Sequence, residues 1–184
     1  MPSPRRTSAR GDRRRREILD AALAEIRSQA VADVQLSAIA DRAGLRSSHI
    51  LYYFSSRDEV LIAAVALAEE ELAAGRRERL LAIPDRTERM AAYVAAYLPD
   101  DRHDPVWKLW IEGWLRSPSR AEFAVVGGQA DSGWMTDLVE CLQVDPVRAR
   151  RLLFLLDGLA IHVLAGHITP EEAAMHAAAG MTGE

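Results

Sequence analysis

Apolar side chains recur along this chain every three or four positions, the spacing that places them on one face of an α-helix. Ile18, Ala22 and Ile26 begin the series, and comparable stripes follow throughout the sequence. Alternating apolar and polar runs, which would indicate half-buried strands, are absent from the sequence. The pattern therefore predicts an all-α fold of about nine helices. They are predicted at residues 13–28, 36–43, 47–53, 57–82, 86–98, 105–116, 120–142, 147–166 and 170–180.

Several helix boundaries carry their own sequence signals. Gly44 follows a short apolar stripe, as glycine does at helix C-termini. Ser56 and Glu59 have the spacing of a capping box at the start of the long 57–82 helix. Aspartate followed by proline, at Asp104 and Asp145, supplies the N-cap and first residue of a helix.

Composition limits what these helices can build. The 184 residues carry a net charge of −4 and a single cysteine, which excludes an internal disulfide and a cysteine-based zinc site. No apolar run reaches the roughly 18–20 residues that cross a bilayer. The basic N-terminal residues lead into an amphipathic stretch, not an apolar signal core. We therefore expect a cytoplasmic protein with no membrane contact.

The positive charge is concentrated at the start of the chain. Residues 1–16 hold seven arginines and one acid, whereas the sequence after residue 60 is acidic overall. A basic end on an acidic body suits binding of a polyanion. A disordered tail that only improves solubility would have the same composition. Charge alone leaves both interpretations open.

Two short predicted helices, 36–43 and 47–53, are separated by a tight turn at Gly44. This is the spacing of a helix-turn-helix, whose second helix enters the DNA major groove. Polar and aromatic side chains on the second helix can reach phosphates or base edges. Together with the upstream arginines, they favour DNA binding. The alternative is a small helical ligand-binding or adaptor protein with a basic tail.

These residues resemble the TetR (tetracycline repressor) family of bacterial transcriptional regulators. The resemblance rests on Ile18-Leu19-Asp20-Ala21-Ala22, Ile39-Ala40-x-x-Ala43-Gly44-Leu45, Tyr53-Phe54 and Arg57-Asp58-Glu59-Val60-Leu61. It implies a flexible basic arm at 1–12, a three-helix helix-turn-helix DNA-binding domain at 13–58, and a helical ligand-binding and dimerisation domain at 59–184. It also implies a repressor that a small-molecule effector releases from its operator by shifting the long helix that begins near Arg57.

The resemblance also implies roles for individual residues. Leu45, Ile50 and Phe54 would anchor the recognition helix in the core. Adjacent residues of a helix point about 100° apart, so Tyr52 and Tyr53 cannot have the same role, and one packs inward while the other reaches phosphate. By resemblance to the family, Tyr53 is the one expected to reach phosphate. The residues expected to contact DNA are Arg13, Arg14, Arg46, Ser47, Ser48, His49, Tyr53 and Arg57.

Large aromatic residues cluster in the second half of the chain. Three tryptophans recur at i, i+3 and i+7 on one predicted helix, so they share one face. Such rings either fill the core or line a small-molecule pocket, and the resemblance favours a pocket for an apolar or aromatic effector. Glu112 and Asp157 are further possible polar groups there. The residues expected to bind this effector are Tyr93, Tyr97, Trp107, Trp110, Trp114, Trp134 and His162.

The last two predicted helices have the composition of an interface. Residues 152–164 are apolar nearly all round, and the final helix offers Ala173, Ala174, Ala177 and Ala178. Burial inside the chain's own bundle is one explanation, and an exposed patch at an interface is the other. We expect a homodimer through 147–166 and 170–180. It would bind a palindromic operator in double-stranded DNA with half-sites about 34–36 Å apart or multiples of that distance.

Motifs of catalysis are absent. The sequence has no glycine-rich phosphate loop, nucleophile elbow or H-E-x-x-H motif, and its five histidines lack metal-ligand spacing. We therefore expect no enzyme activity, no metal and no cofactor. The acidic run Glu69-Glu70-Glu71 is predicted to be solvated helix surface.

Overall fold

The computed structural model describes residues 9–116, 118 and 121–182, and only the backbone at 121–127, 130, 181 and 182. Over these residues the chain is helical and contains no strand, as predicted. The helices are α1 (Ala9–Ser28), α2 (Leu36–Arg42), α3 (Ser47–Tyr53), α4 (Arg57–Ala73), α5 (Arg76–Leu81), α6 (Arg86–Tyr97), α7 (Pro105–Arg116), α8 (Ala121–Glu140), α9 (Pro146–Leu164) and α10 (Pro170–Thr182). A 3₁₀ turn at Val31–Asp33 joins α1 to α2.

Helices α1 to α3 and the first half of α4 form an N-terminal unit, called the head below. Its core is a cluster of aliphatic side chains from all four helices. Ile50 and Phe54 are buried in it and Leu45 packs against it. Leu109 of α7 also belongs to this cluster, so the head is in direct contact with the C-terminal bundle.

The predicted helix starts are confirmed where their caps are described. Ser56 Oγ accepts a hydrogen bond from the Glu59 N–H at 3.1 Å, and Glu59 reaches back to the Ser55 N–H. Asp104 accepts from the first turn of α7, and Asp145 from that of α9. Gly44 takes φ = +66°, the left-handed conformation that glycine adopts without strain.

Two helix boundaries differ from the prediction by more than two residues. Helix α1 begins at Ala9, so residues 9–12 of the predicted arm are helical; residues 1–8 lie outside the described residues. Ion pairs one turn apart, such as Arg16 with Asp20, support this N-terminal half. The predicted 57–82 helix is divided into α4 and α5, because Gly75 takes φ = +69°, which an α-helix cannot continue through.

Helices α5 to α10 form the C-terminal bundle around a second core cluster. In α10, Ala173 and Ala177 are fully buried within the chain, so only part of the predicted alanine surface faces outward. Helix α9 exposes three large apolar side chains, Val147, Phe154 and Ile161, and the bundle also exposes Leu115 of α7 and Met175 of α10. Within the described residues, no helix combines the length and the apolar composition needed to cross a membrane.

Candidate functional site

The outer face of α3 carries a continuous polar and aromatic surface. Arg46, Ser48, His49 and Tyr52 line one shallow depression with the Gly44 turn, and all four are exposed. Ser47, the first residue of α3, is half-buried. The geometry therefore brings Arg46, Ser48 and His49, which were expected to contact DNA, together at the N-terminal end of α3, the recognition helix of the helix-turn-helix.

The two adjacent tyrosines of α3 take different positions. Tyr52 is 77% exposed, whereas Tyr53 is half-buried and packs against the head core. Their ring centroids lie 5.1 Å apart, edge to face. Tyr52 was not among the residues expected to contact DNA. Its spacing from Ser48 and His49 is the sequence signal that places it on the same helix face.

The expected arginines of α1 are exposed to different degrees and are partly paired. Arg13 and Arg14 both contact the Glu17 carboxylate, at 3.0 and 2.6 Å, and Arg13 is the more exposed. Arg15 lies on another face: its Nη1 donates to the Tyr53 carbonyl at 2.7 Å, and its guanidinium lies 4.2 Å from the centre of the Phe54 ring. Arg15 thus holds the last turn of the recognition helix.

Arg57 is half-buried and its guanidinium is engaged by backbone carbonyls. Its Nε donates to the Val34 carbonyl at 2.6 Å, and its Nη2 donates to the Val31 carbonyl. It also contacts Asp58, which Arg116 of α7 reaches at 3.0 Å. In this conformation, Arg57 braces the connection between α1 and α2.

A cavity of about 210 Å³ lies where α1, α4, α6, α7 and α8 meet. All four tryptophans of the chain line it, together with Tyr97. The i, i+3, i+7 spacing on α7 therefore brings its three rings to one cavity. The full lining comprises Arg27, Glu69, Leu72, Ala96, Tyr97, Leu98, Asp100, Asp104, Pro105, Val106, Trp107, Trp110, Trp114 and Trp134.

The rings are fixed by hydrogen bonds from their polar atoms. Trp107 Nε1 donates to the Tyr97 carbonyl at 2.9 Å, and Trp110 Nε1 donates to Glu69 Oε1 at 2.6 Å. The Tyr97 hydroxyl donates to Asp157 Oδ1 at 2.5 Å. Because protein acceptors already engage these donors, the rings offer a ligand apolar and π surface.

Acidic groups outnumber basic groups around the cavity. Glu69, Asp100 and Asp104 line it, against Arg27 alone. Burial raises the pKa of Glu69, although the Trp110 hydrogen bond and the nearby Arg76 charge oppose this shift. Burial also raises the pKa of Asp104, against the backbone N–H groups that it caps. The prediction of a solvated acidic run was wrong for Glu69, because α7 packs against that face of α4.

A buried ion pair lies behind the cavity. Arg76 Nε donates to Asp137 Oδ2 at 2.6 Å, and both side chains are less than a tenth exposed. The Arg76 guanidinium lies 3.6 Å from the centre of the Trp134 ring. Its Nη1 is buried without a hydrogen-bond partner. This pair joins the start of α5 to α8 and stacks on one wall of the cavity.

Two of the residues expected to bind effector do not line this cavity. Tyr93 is fully buried, and its hydroxyl donates to the Trp134 carbonyl at 3.0 Å, so it supports the wall from behind. His162 is exposed near the end of α9, with its Nδ1 3.0 Å from Nδ1 of His167. In the described part of the chain, no three histidine, cysteine or acidic side chains gather to hold a metal ion.

The chain is similar to known regulators over both of its halves. Residues 18–64 match the family model of bacterial regulatory proteins of the tetR family, and residues 86–182 match the model of the BetI-type transcriptional repressor C-terminal domain. The regulator BetI of Pectobacterium carotovorum is 28% identical over 163 residues, which cover 84% of each chain. BetI of Paraburkholderia phytofirmans is 27% identical over 174 residues, 90% of this chain and 89% of that one.

Solved structures share the fold. A transcriptional regulator from Saccharomonospora viridis, crystallised in complex with choline, superposes with a TM-score of 0.80 at 24% identity and covers 90% of this chain and 94% of that one. A TetR-family regulator from Rhodococcus gives a TM-score of 0.73 at 18% identity, covering 92% and 97%. The chain therefore belongs to the TetR family of bacterial transcriptional regulators, with a BetI-type C-terminal domain, and is a DNA-binding regulator, not an enzyme.

Proposed function

We propose that this regulator binds a palindromic operator as a homodimer and is released when a small organic cation, of the quaternary ammonium type, enters the aromatic cavity. One observation carries the choice of ligand: five aromatic rings and three carboxyl groups surround a space of about 210 Å³. Aromatic cages of this kind hold quaternary ammonium groups through cation–π attraction. A nearby carboxylate adds attraction that strengthens in a partly desolvated site.

Size and similarity support the same class of ligand. The cavity is smaller than the ~300–1,000 Å³ of sites for drug-sized molecules, so its ligand has few heavy atoms. The similar regulator from S. viridis was crystallised with choline, a small quaternary ammonium compound. The sequence predicted an apolar or aromatic effector with Glu112, Asp157 and His162 as possible polar groups, and none of these three lines the cavity. The carboxyl groups, and Glu69 above all, favour a cation.

The proposed DNA surface is the outer face of α3 with the start of α1. Residues 13–58 would form the DNA-binding domain, with 59–184 as the effector and dimerisation domain. Tyr52 joins the proposed set because it is the more exposed tyrosine, and Arg57 would act by holding the α1–α2 connection. The proposed direct contacts are Arg13, Arg14, Arg46, Ser47, Ser48, His49, Tyr52 and Tyr53.

The proposed dimer forms through α9 and α10. Val147, Phe154 and Ile161 recur every seven residues on α9 and are 61%, 64% and 45% exposed. Between them, Gly158 leaves open space where a side chain would lie, so another helix can approach closely. Two copies joined by this stripe would cover it and would present two recognition helices to one duplex.

The proposal is tested by operator release. Duplexes are first selected from a random pool, and a two-fold symmetric sequence is expected. Choline should then weaken operator binding, while 3,3-dimethylbutan-1-ol, a neutral compound of the same shape, should not. Glu69→Gln should lower choline affinity at least about tenfold, because it removes the charge but keeps the shape. Glu70→Gln is the matched control, since Glu70 is the exposed neighbour on α4.

Three results would contradict the proposal. Equal operator release by the neutral compound would exclude a cation as the effector class. Unchanged choline affinity in Glu69→Gln would remove the carboxylate from the site. Selection that enriches no duplex would favour the adaptor alternative over sequence-specific DNA binding.

A further inference from the structure

Helix α1 connects the two proposed sites. It has 20 residues, so at about 1.5 Å per residue it is roughly 30 Å long. Near its start, Arg15 holds the last turn of α3 through the Tyr53 carbonyl and the Phe54 ring. In its last turn, Arg27 lines the aromatic cavity. One helix of the DNA-binding head is therefore part of the cavity wall.

The chain's single lysine, Lys108 of α7, bonds to the end of α1. Lys108 Nζ donates to the carbonyls of Ile26, Arg27 and Gln29 at 2.9, 3.3 and 3.3 Å. Carbonyls at a helix C-terminus have no partner within their own helix, and a cation there is further favoured by the helix dipole. The ammonium group of α7 thus caps the end of α1.

The residues on either side of Lys108 contact the cavity and the head core. Trp107, the residue before it, is a wall of the cavity, and Leu109, the residue after it, is buried in the head core. A second ion pair, Arg27 with Asp101 at 2.9 Å, holds the same turn of α1 to the segment that precedes α7. Displacement of the α7 tryptophans by a ligand would therefore pull directly on the end of α1.

We propose that α1 transmits effector occupancy to the recognition helix and that Lys108 is the contact that couples them. The inference rests on the proposed function and names a route besides α4, the long helix that the family resemblance implicates. A ligand between the rings shifts α7, and Lys108 carries the last turn of α1 with it. Because α1 is a continuous helix packed in the head, its other end moves α3 through Arg15.

The first test measures coupling between choline and operator. The ratio of operator dissociation constants with and without saturating choline should lie at roughly 5- to 150-fold for the unmodified protein. Lys108→Met should reduce this ratio by roughly 2- to 30-fold, with choline affinity of the DNA-free protein nearly unchanged. Lys108→Arg keeps the charge and its donors and should retain most of the ratio. Arg86→Met is the control, since Arg86 caps carbonyls at the end of α8, away from the head.

The second test needs no effector. Because all four tryptophans line the cavity, intrinsic tryptophan fluorescence reports on the cavity alone. Operator binding should change the fluorescence of the unmodified protein and of Arg86→Met, and Lys108→Met should lose this change while it still binds operator. Circular dichroism checks that each variant is folded. If Lys108→Met does not fold, Lys108→Arg is measured in its place.

The outcomes separate the two proposals. Failure of choline to bind would refute the proposed effector, while the fluorescence test would still decide the role of Lys108. A fluorescence change and a coupling ratio that both persist in Lys108→Met would overturn the inference and leave α4 as the route.

Discussion

The head and the C-terminal bundle are both helical, but their interiors differ. The head core consists of aliphatic side chains and Phe54, and ion pairs such as Arg13 with Glu17 lie at its surface. The bundle buries polar groups among its rings, including the Arg76–Asp137 ion pair and the Tyr93 hydroxyl. The head also buries one charged residue, Glu25, but its partner Arg42 is 45% exposed, so the two regions differ in how far their ion pairs are removed from solvent.

This difference suits the two regions to different tasks. A close-packed aliphatic core tolerates little internal rearrangement, so the head is suited to moving as a unit. Buried polar groups require partners, and a charged ligand changes which partners are available. We infer that the bundle changes internally and the head is carried with it.

The largest expected effect concerns the buried pair of the bundle. Asp137→Ala leaves the Arg76 charge buried and uncompensated, and should lower the free energy of unfolding by about 3–5 kcal/mol. Glu17→Gln in the head should cost less than about 1 kcal/mol, because its ion pairs lie at the surface. Denaturant unfolding monitored by circular dichroism measures both.

A double variant serves as the control for the buried pair. Arg76→Met with Asp137→Leu removes both charges and fills similar volume, so it should recover most of the stability that Asp137→Ala loses. If Asp137→Ala cost no more than Glu17→Gln, the buried ion pair of the bundle would be no more important for stability than a surface ion pair of the head.

The next effect is the pH dependence of choline binding. Choline carries a permanent charge, so acidification acts on the protein alone. Burial raises the pKa of Glu69, so protonation begins above the ordinary glutamate value, and choline affinity should fall as pH decreases through that raised pKa. The slope for one group approaches about tenfold per pH unit. Isothermal titration calorimetry across the range measures it.

The carboxyl groups of the cavity can be separated in the same experiment. Asp104 also has a pKa raised by burial, so a slope steeper than that for a single proton would indicate both groups. Glu69→Gln should remove the Glu69 part of the slope. Affinity that stays constant down to pH 4.5, the ordinary glutamate value, would show that the Glu69 carboxylate does not contribute to binding.

Local chemistry made much of the head predictable. Gly44 marks a left-handed turn that few other residues adopt, and Ser56 caps the helix that follows. Each signal acts within a few residues, so it can be identified in the sequence. The i, i+3, i+7 spacing of the tryptophans on α7 likewise placed three rings on one face, and all three line the cavity.

The parts that sequence did not predict depend on contacts between distant segments. Glu69 looked like solvated helix surface, and its acceptance of the Trp110 N–H joins residues 41 positions apart. Lys108 and the carbonyls at the end of α1 are about twice as far apart in sequence. No local pattern specifies such pairs. The break at Gly75 had a local signal, but a single glycine within a helical pattern does not by itself end a helix.

The smallest effect tests whether the head moves as a unit. Tyr52→Phe removes one exposed hydroxyl, and loss of a phosphate contact should weaken operator binding about 2- to 10-fold. If the head is carried without internal change, this factor should be the same with and without choline, as measured by fluorescence anisotropy on the selected duplex. Tyr53→Phe is the matched variant, because Tyr53 is half-buried and its hydroxyl is the contact implied by family resemblance. A Tyr52→Phe effect that changes when choline is present would show that the ligand rearranges the recognition helix itself.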